Sequence, residues 1–145
     1  MYDRILFPTD GSDAARAAKE HAFDHARQYD AELHVLYVAD TTKYSTVTFE
    51  EGVADVLEEE GWEVVDAVAD EADRSGLDVV DVVVQGRPHQ QIVEYADEQD
   101  VDLVTMGTHG HSGLKRTILG STTERVLRES NVPVLAVPAG ETDGE

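Results

Sequence analysis

No cysteine occurs among the 145 residues, which excludes disulfides, thiolate-bound metal and thiol catalysis. Lysine is scarce as well: Lys19, Lys43 and Lys115 are the only three in a set of 11 basic residues, against 31 acidic ones. The resulting formal charge of -20 repels nucleic acid and anionic membranes at long range, so neither is expected as a partner. Adaptation to high salt, where screening confines repulsion to a few ångströms, is the expected reason for such a surface; ordinary acidic solubility is the alternative. No apolar run approaches the roughly 20 residues of a membrane span, and Met1 to Phe7 reads as a strand rather than a signal peptide. A soluble cytoplasmic protein is the expectation. The length suits one domain able to bury a core without metal or disulfide staples, expected over residues 1–140 with a polar tail at 141–145.

Apolar runs alternate with helical patterns along the chain. Ile5-Leu6-Phe7 ends in the turn cluster Pro8-Thr9-Asp10-Gly11-Ser12, and Ala15, Ala18, Ala22, Ala26 and Tyr29 then recur at helical spacing. Leu33 to Val38 reads as the second strand, followed by a polar connection from Asp40 to Thr46. Val53, Val56, Leu57, Val64, Val68 and Ala72 mark a long helical region in which Gly52 and Gly61 are candidate points for a split or kink. Leu77 to Val84 is the third strand, closed by Gln85-Gly86-Arg87-Pro88. Ile92, Val93 and Ala96 mark a short helix with Pro88 in its first turn or just before it. Val101 to Met106 is the fourth strand, Thr122 to Ser130 the last helix, and Val132 to Pro138 the fifth strand. Strands that are apolar throughout, each followed by a helix, imply a parallel sheet covered on both faces. Ligands in such sheets sit at the carboxyl ends of the strands, near the point where strand order reverses. Two loops meet there: Pro8 to Ser12 and Gly107 to Ser121.

The second loop carries the strongest chemical signal. Gly107 and Gly110 let backbone approach an anion, and Gly120-Ser121 stands at a helix start, where free N–H groups and the helix dipole favour phosphate. From Leu103 to Arg128, four cations (Lys115, Arg116, Arg125, Arg128) face one carboxylate, Glu124, a local net charge of +3 on an acidic chain. Ser121-Thr122-Thr123-Glu124 has the form of a capping box, which assigns Ser121 as the N-cap. Asp10 is placed to accept ribose hydroxyls or to help hold hydrated Mg2+, or else to serve its own turn. In a sheet of this kind the backbone of Val38 and Ala39 would wall an adenine pocket. The Walker A and dinucleotide patterns both fail: Lys115 lies between Leu114 and Arg116, and no Gly-x-Gly-x-x-Gly follows the first strand. Gly110-His111-Ser112-Gly113 is one residue short of a nucleophile elbow. His109 and His111 could contact phosphate or act as acid or base. His21 and His25 have a zinc-compatible spacing without a third ligand. His34 and His89 fall in no motif.

Written as Gly107-x2-Gly110-x9-Gly120-Ser121, the loop resembles that of the ATP-binding branch of the universal stress protein family. The resemblance extends to Ile5 to Ser12, the Gly86-x-Pro88 turn and Val132 to Val137; Thr9 stands where that family often has valine, and His111 where a basic or polar residue is usual. It implies a single-domain, open, Rossmann-like α/β fold with five parallel strands in the order 3-2-1-4-5 and helices on both faces. It further implies a homodimer through strand five, from Val132 to Val137, and binding of ATP or another adenine nucleotide with Mg2+ or Mn2+. The strand-five edge is apolar and would otherwise expose unpaired backbone groups. Asp10 and Gly107 would meet the ribose, Val38 the adenine, and Gly110, Gly120, Ser121 and Thr122 the phosphates. Pro8, Thr9, Met106 and His109 complete the candidate site. With the acidic composition, the resemblance suggests a member from a halophilic archaeon. The expected function is that of a stress-response regulator or sensor. A slow ATPase or phosphotransferase, and a nucleotide-independent scaffold, are the alternatives.

Overall fold

The structure, a computed structural model, describes residues 2–43, 51–109 and 119–139, with backbone alone for 51–54. The elements are β1 (Arg4–Pro8), α1 (Asp13–Tyr29), β2 (Glu32–Ala39), a 3-10 turn (Thr41–Lys43), α2 (Glu51–Arg74), β3 (Val79–Gln85), α3 (Pro88–Glu98), β4 (Leu103–Gly107), α4 (Ser121–Glu129) and β5 (Val134–Val137). All neighbouring strands run parallel, in the order β3-β2-β1-β4-β5. The alternation of side chains explains the uninterrupted apolar strands. Ile5 and Phe7 of β1 enter one core with α1 and α2, whereas Leu6 enters a second core with α3 and α4. This is a single-domain α/β fold with helices on both faces of the sheet.

Helix α1 packs tightly because its inner stripe, Ala14, Ala15, Ala18, Ala22 and Ala26, is small and buried. The Ser12 hydroxyl caps it, accepting from the Ala15 N–H at 3.3 Å. Helix α2 is one uninterrupted helix, so neither Gly52 nor Gly61 splits it. At Gly61 a Cβ would stand 2.5 Å from the Tyr37 ring, so the glycine allows α2 to lie close on β2 instead of ending the helix. The Lys19–Glu71 ion pair, at 2.7 Å, joins α1 to α2. Ala139, just past β5, is buried. The tail at residues 141–145 lies outside the described residues.

The amino end of the sheet is closed by paired polar groups. The Asp102 carboxylate accepts from the N–H groups of Asp3 at 2.8 Å and Arg4 at 3.0 Å. His34, 4% exposed, bonds through Nδ1 to the Tyr95 hydroxyl at 2.6 Å and through Nε2 to Glu32 at 2.7 Å. Burial, reinforced by the Glu32 charge, pushes the Tyr95 phenol above its ordinary pKa.

Candidate functional site

The carboxyl ends of β1 and β4 are adjacent in the sheet, which brings together the two loops singled out above. Gly107 closes β4 beneath α1. A Cβ there would lie 2.8 Å from the Ala14 carbonyl carbon, and buried Thr123 donates from Oγ1 to the Gly107 carbonyl at 2.8 Å. Thr108 donates its N–H to Val137 at 3.0 Å and accepts from the Gly120 N–H at 2.8 Å, so the two ends of the loop are clamped together. Its hydroxyl meets His109 Nδ1 at 3.2 Å. Gly110, with residues 111–118, lies outside the described residues.

The expected cap at Ser121 is not made. Helix α4 begins at Ser121 itself, with Gly120 as N-cap, because the Gly120 carbonyl already accepts from the Glu124 N–H at 2.9 Å. Ser121 is therefore an exposed first-turn residue, and no side chain caps the helix start. The N-terminus of α3 has the same character: its N-cap, Arg87, makes no side-chain cap bond, and Pro88 follows.

These two helix starts converge on a polar cleft of about 240 Å3 lined by Asp40, Thr42, Arg87, Pro88, His89, Ser121, Thr122 and Arg125. Asp40 is engaged locally, accepting from the N–H and hydroxyl of Thr42. Neither Arg87 nor Arg125 makes an ion pair among the described residues, nor does Arg74 outside the cleft lining, whereas Arg4, Arg16, Arg27 and Arg128 each do. The cleft thus offers hydroxyls, guanidinium groups and helix-start N–H groups, the donor set that holds phosphate.

Of the residues expected at the site, Ser121 and Thr122 line this cleft. Val38 is half-buried at the end of β2 and packs with the α3–α4 core. Pro8 and Met106 are buried, and the Met106 side chain belongs to that same core, so Met106 can meet a ligand only through backbone. Thr9 turns to the other face, where it lines a separate cleft of about 210 Å3 between α1 and α2. Its hydroxyl accepts from the Gly11 N–H at 3.1 Å. Asp10 accepts from the Ser12 N–H at 2.9 Å, the local turn bond weighed as one of its two roles.

Sequence reasoning missed Arg87, His89, Asp40 and Thr42 as lining residues. A usable signal was present in the Gly86-x-Pro88 turn, which places the following helix start at the carboxyl edge of the sheet.

The family model described as Universal stress protein family matches residues 1–138. Universal stress protein MJ0531 of Methanocaldococcus jannaschii is 38% identical over 140 residues, covering 94% of this chain and 82% of that protein. The solved structure of MJ0577, a universal stress protein from the same organism, has a TM-score of 0.87 at 38% identity, covering 94% of this chain and 96% of the other. A universal stress protein solved in complex with cAMP has a TM-score of 0.73 at 29% identity, covering 96% and 99%. Sequence motifs, sheet order and these likenesses agree: the chain belongs to the universal stress protein family.

Proposed function

We propose that this chain binds an adenine nucleotide, ATP above all, across the carboxyl edge of its sheet and acts as a regulator or sensor in the stress response. The observation that carries the reading is the polar cleft at the α3 and α4 starts, in which Ser121 and Thr122 stand beside two arginines. The cAMP complex of a similar family member supports the adenine class. In this reading the phosphates lie on the α4 start, against Gly120, Ser121 and Thr122 and under the segment that contains Gly110. Asp10 and the Gly107 backbone meet the ribose, and Val38 meets the adenine through its main chain. Pro8, Thr9 and Met106 supply backbone at the floor, with His109 at the rim.

A bound Mg2+ or Mn2+ belongs to the same reading. Among the described residues no group of three or more His, Asp or Glu side chains is arranged to hold a metal. That suits an ion bound mainly by phosphate oxygens and water with one carboxylate, for which Asp10 stands nearest the proposed ribose. The ion would neutralise phosphate charge.

Dimerisation through β5 is the second part. Val104 and Thr108 donate to the carbonyls of Pro133 and Val137, so alternation turns the backbone of Val134 and Ala136 outward. Ala136→Pro removes one outward N–H while sparing the β4 ladder, and sedimentation is expected to change from dimer to monomer. A cytoplasmic location and tolerance of high salt complete the reading; the melting temperature is expected to rise between dilute buffer and molar KCl.

Calorimetry of nucleotide-stripped protein with MgATP tests the main claim. Saturable binding is expected, weakened by Gly120→Val, whose added Cβ would press within 3.1 Å of the His109 Cα. No binding, or a variant indistinguishable from wild type, sinks it.

A further inference from the structure

We propose that Arg87, His89 and Arg125 form a phosphate-reading wall that makes this chain prefer nucleotides with a polyphosphate tail over monophosphates. The proposal rests on the nucleotide reading above and adds to it the residues that select the ligand. Three separate donor groups surround the cleft: the α4 start with Ser121 and Thr122, the Arg125 guanidinium one turn further along, and the α3 start with Arg87 and His89. A single phosphate seated on α4 satisfies the first group. A tail of two or three phosphates would engage the others as well.

His89 is the most telling member. It is 7% exposed, lines the cleft, and makes no hydrogen bond among the described residues. The ring is enclosed by the cleft wall while its nitrogens bond no described residue, which makes them candidate partners for a ligand in the cleft. His34, 4% exposed, is by contrast bonded on both ring nitrogens. The helix starts repeat the contrast: α1 is capped by Ser12, whereas α3 and α4 have no side-chain cap and both face the cleft.

Charge gives the direction of the preference. Arg87 and Arg125 are exposed at the rim of a chain with formal charge -20, yet neither is paired with a carboxylate among the described residues. Among the described residues Asp40 is the only carboxylate lining the cleft, and it is held by Thr42. Two unpaired guanidinium groups match a tail carrying three or four negative charges better than a single phosphate, and their planar forks suit successive phosphoryl oxygens.

The test measures ATP, ADP, AMP and free tripolyphosphate binding to the full chain by calorimetry with Mg2+ present, in wild type, Arg87→Gln/Arg125→Gln and His89→Gln. Wild type is expected to bind ATP at least about tenfold more tightly than AMP. The double variant should lose about tenfold or more for ATP and tripolyphosphate, with AMP changed less than about twofold. His89→Gln, which keeps an amide donor, should lose less. Because both arginines are exposed, the double variant is expected to melt with wild type. Equal losses for ATP and AMP, or no loss for ATP, overturn the proposal. If wild type binds neither nucleotide, the nucleotide reading fails separately. Tripolyphosphate bound only by wild type then keeps the wall as an anion site, and tripolyphosphate bound equally by both removes it.

Discussion

The two ends of the sheet treat their polar groups in opposite ways. At the amino end, Asp102 takes two backbone N–H groups, Arg4 donates to the Gln99 carbonyl at 2.9 Å, and His34 is held between Glu32 and Tyr95. At the carboxyl end, among the described residues, two arginines and a buried histidine are left without ion pairs or hydrogen-bond partners, beside two helix starts that no side chain caps. The strands between are equally apolar, so the difference lies in what each end is for. The amino end joins layers; the carboxyl end carries the donors that the proposed nucleotide site uses.

Substitutions can break this contrast if they disturb binding from the amino end or leave it intact when the carboxyl end is altered. Gly107→Val should have the largest effect. Its added Cβ meets Ala14 backbone, which cannot yield as a side chain tip would, and a loss of about 3 kcal/mol or more is expected in urea unfolding. Tyr95→Phe comes next. It strips His34 Nδ1 of its partner and should cost about 1–3 kcal/mol in the same assay while leaving ATP affinity unchanged in calorimetry. A matching loss of affinity would show that the ends are not separate. Thr123→Val removes the tie to the Gly107 carbonyl and is expected to cost about 1 kcal/mol by the urea midpoint.

The smallest effect is expected away from both ends. Asp66 is exposed on α2; slight desolvation of its carboxyl, then a hydrogen bond and charge repulsion from Asp81, with Asp70 adding to the repulsion, hold it above its ordinary pKa of 3.8. A raised carboxyl pKa contributes stability at low pH that is lost as the pH rises through the folded-state value. Asp66→Asn should therefore melt slightly higher than wild type at neutral pH, and the two curves should meet as the pH falls below 3.8.

Much of the fold was legible because two-sided burial leaves strands without polar alternation. Ile5 to Phe7 and Leu33 to Val38 show this directly, although strand order came from the family resemblance. What failed depended on contacts between distant segments. The fit of Gly61 on α2 is set by the Tyr37 ring on β2, and glycine in a helical pattern reads as a weakness until that ring is seen. Ser121-Thr122-Thr123-Glu124 has the same letters whether its serine caps or opens the helix; the clamp between Gly120 and Thr108 decides. His89 and Arg87 carry no local signature, since their meaning comes from α3 starting opposite α4.

Hydrogen exchange with and without saturating MgATP tests the central claim most directly, because it reports both ends of the sheet in one experiment. Slowed exchange is expected in the segments around Asp10, Val38, His89, Gly107 and Ser121, with no change around Asp3, Glu32 and Asp102. Protection at the amino end, or equal protection throughout, would contradict the assignment of the carboxyl edge as the nucleotide site.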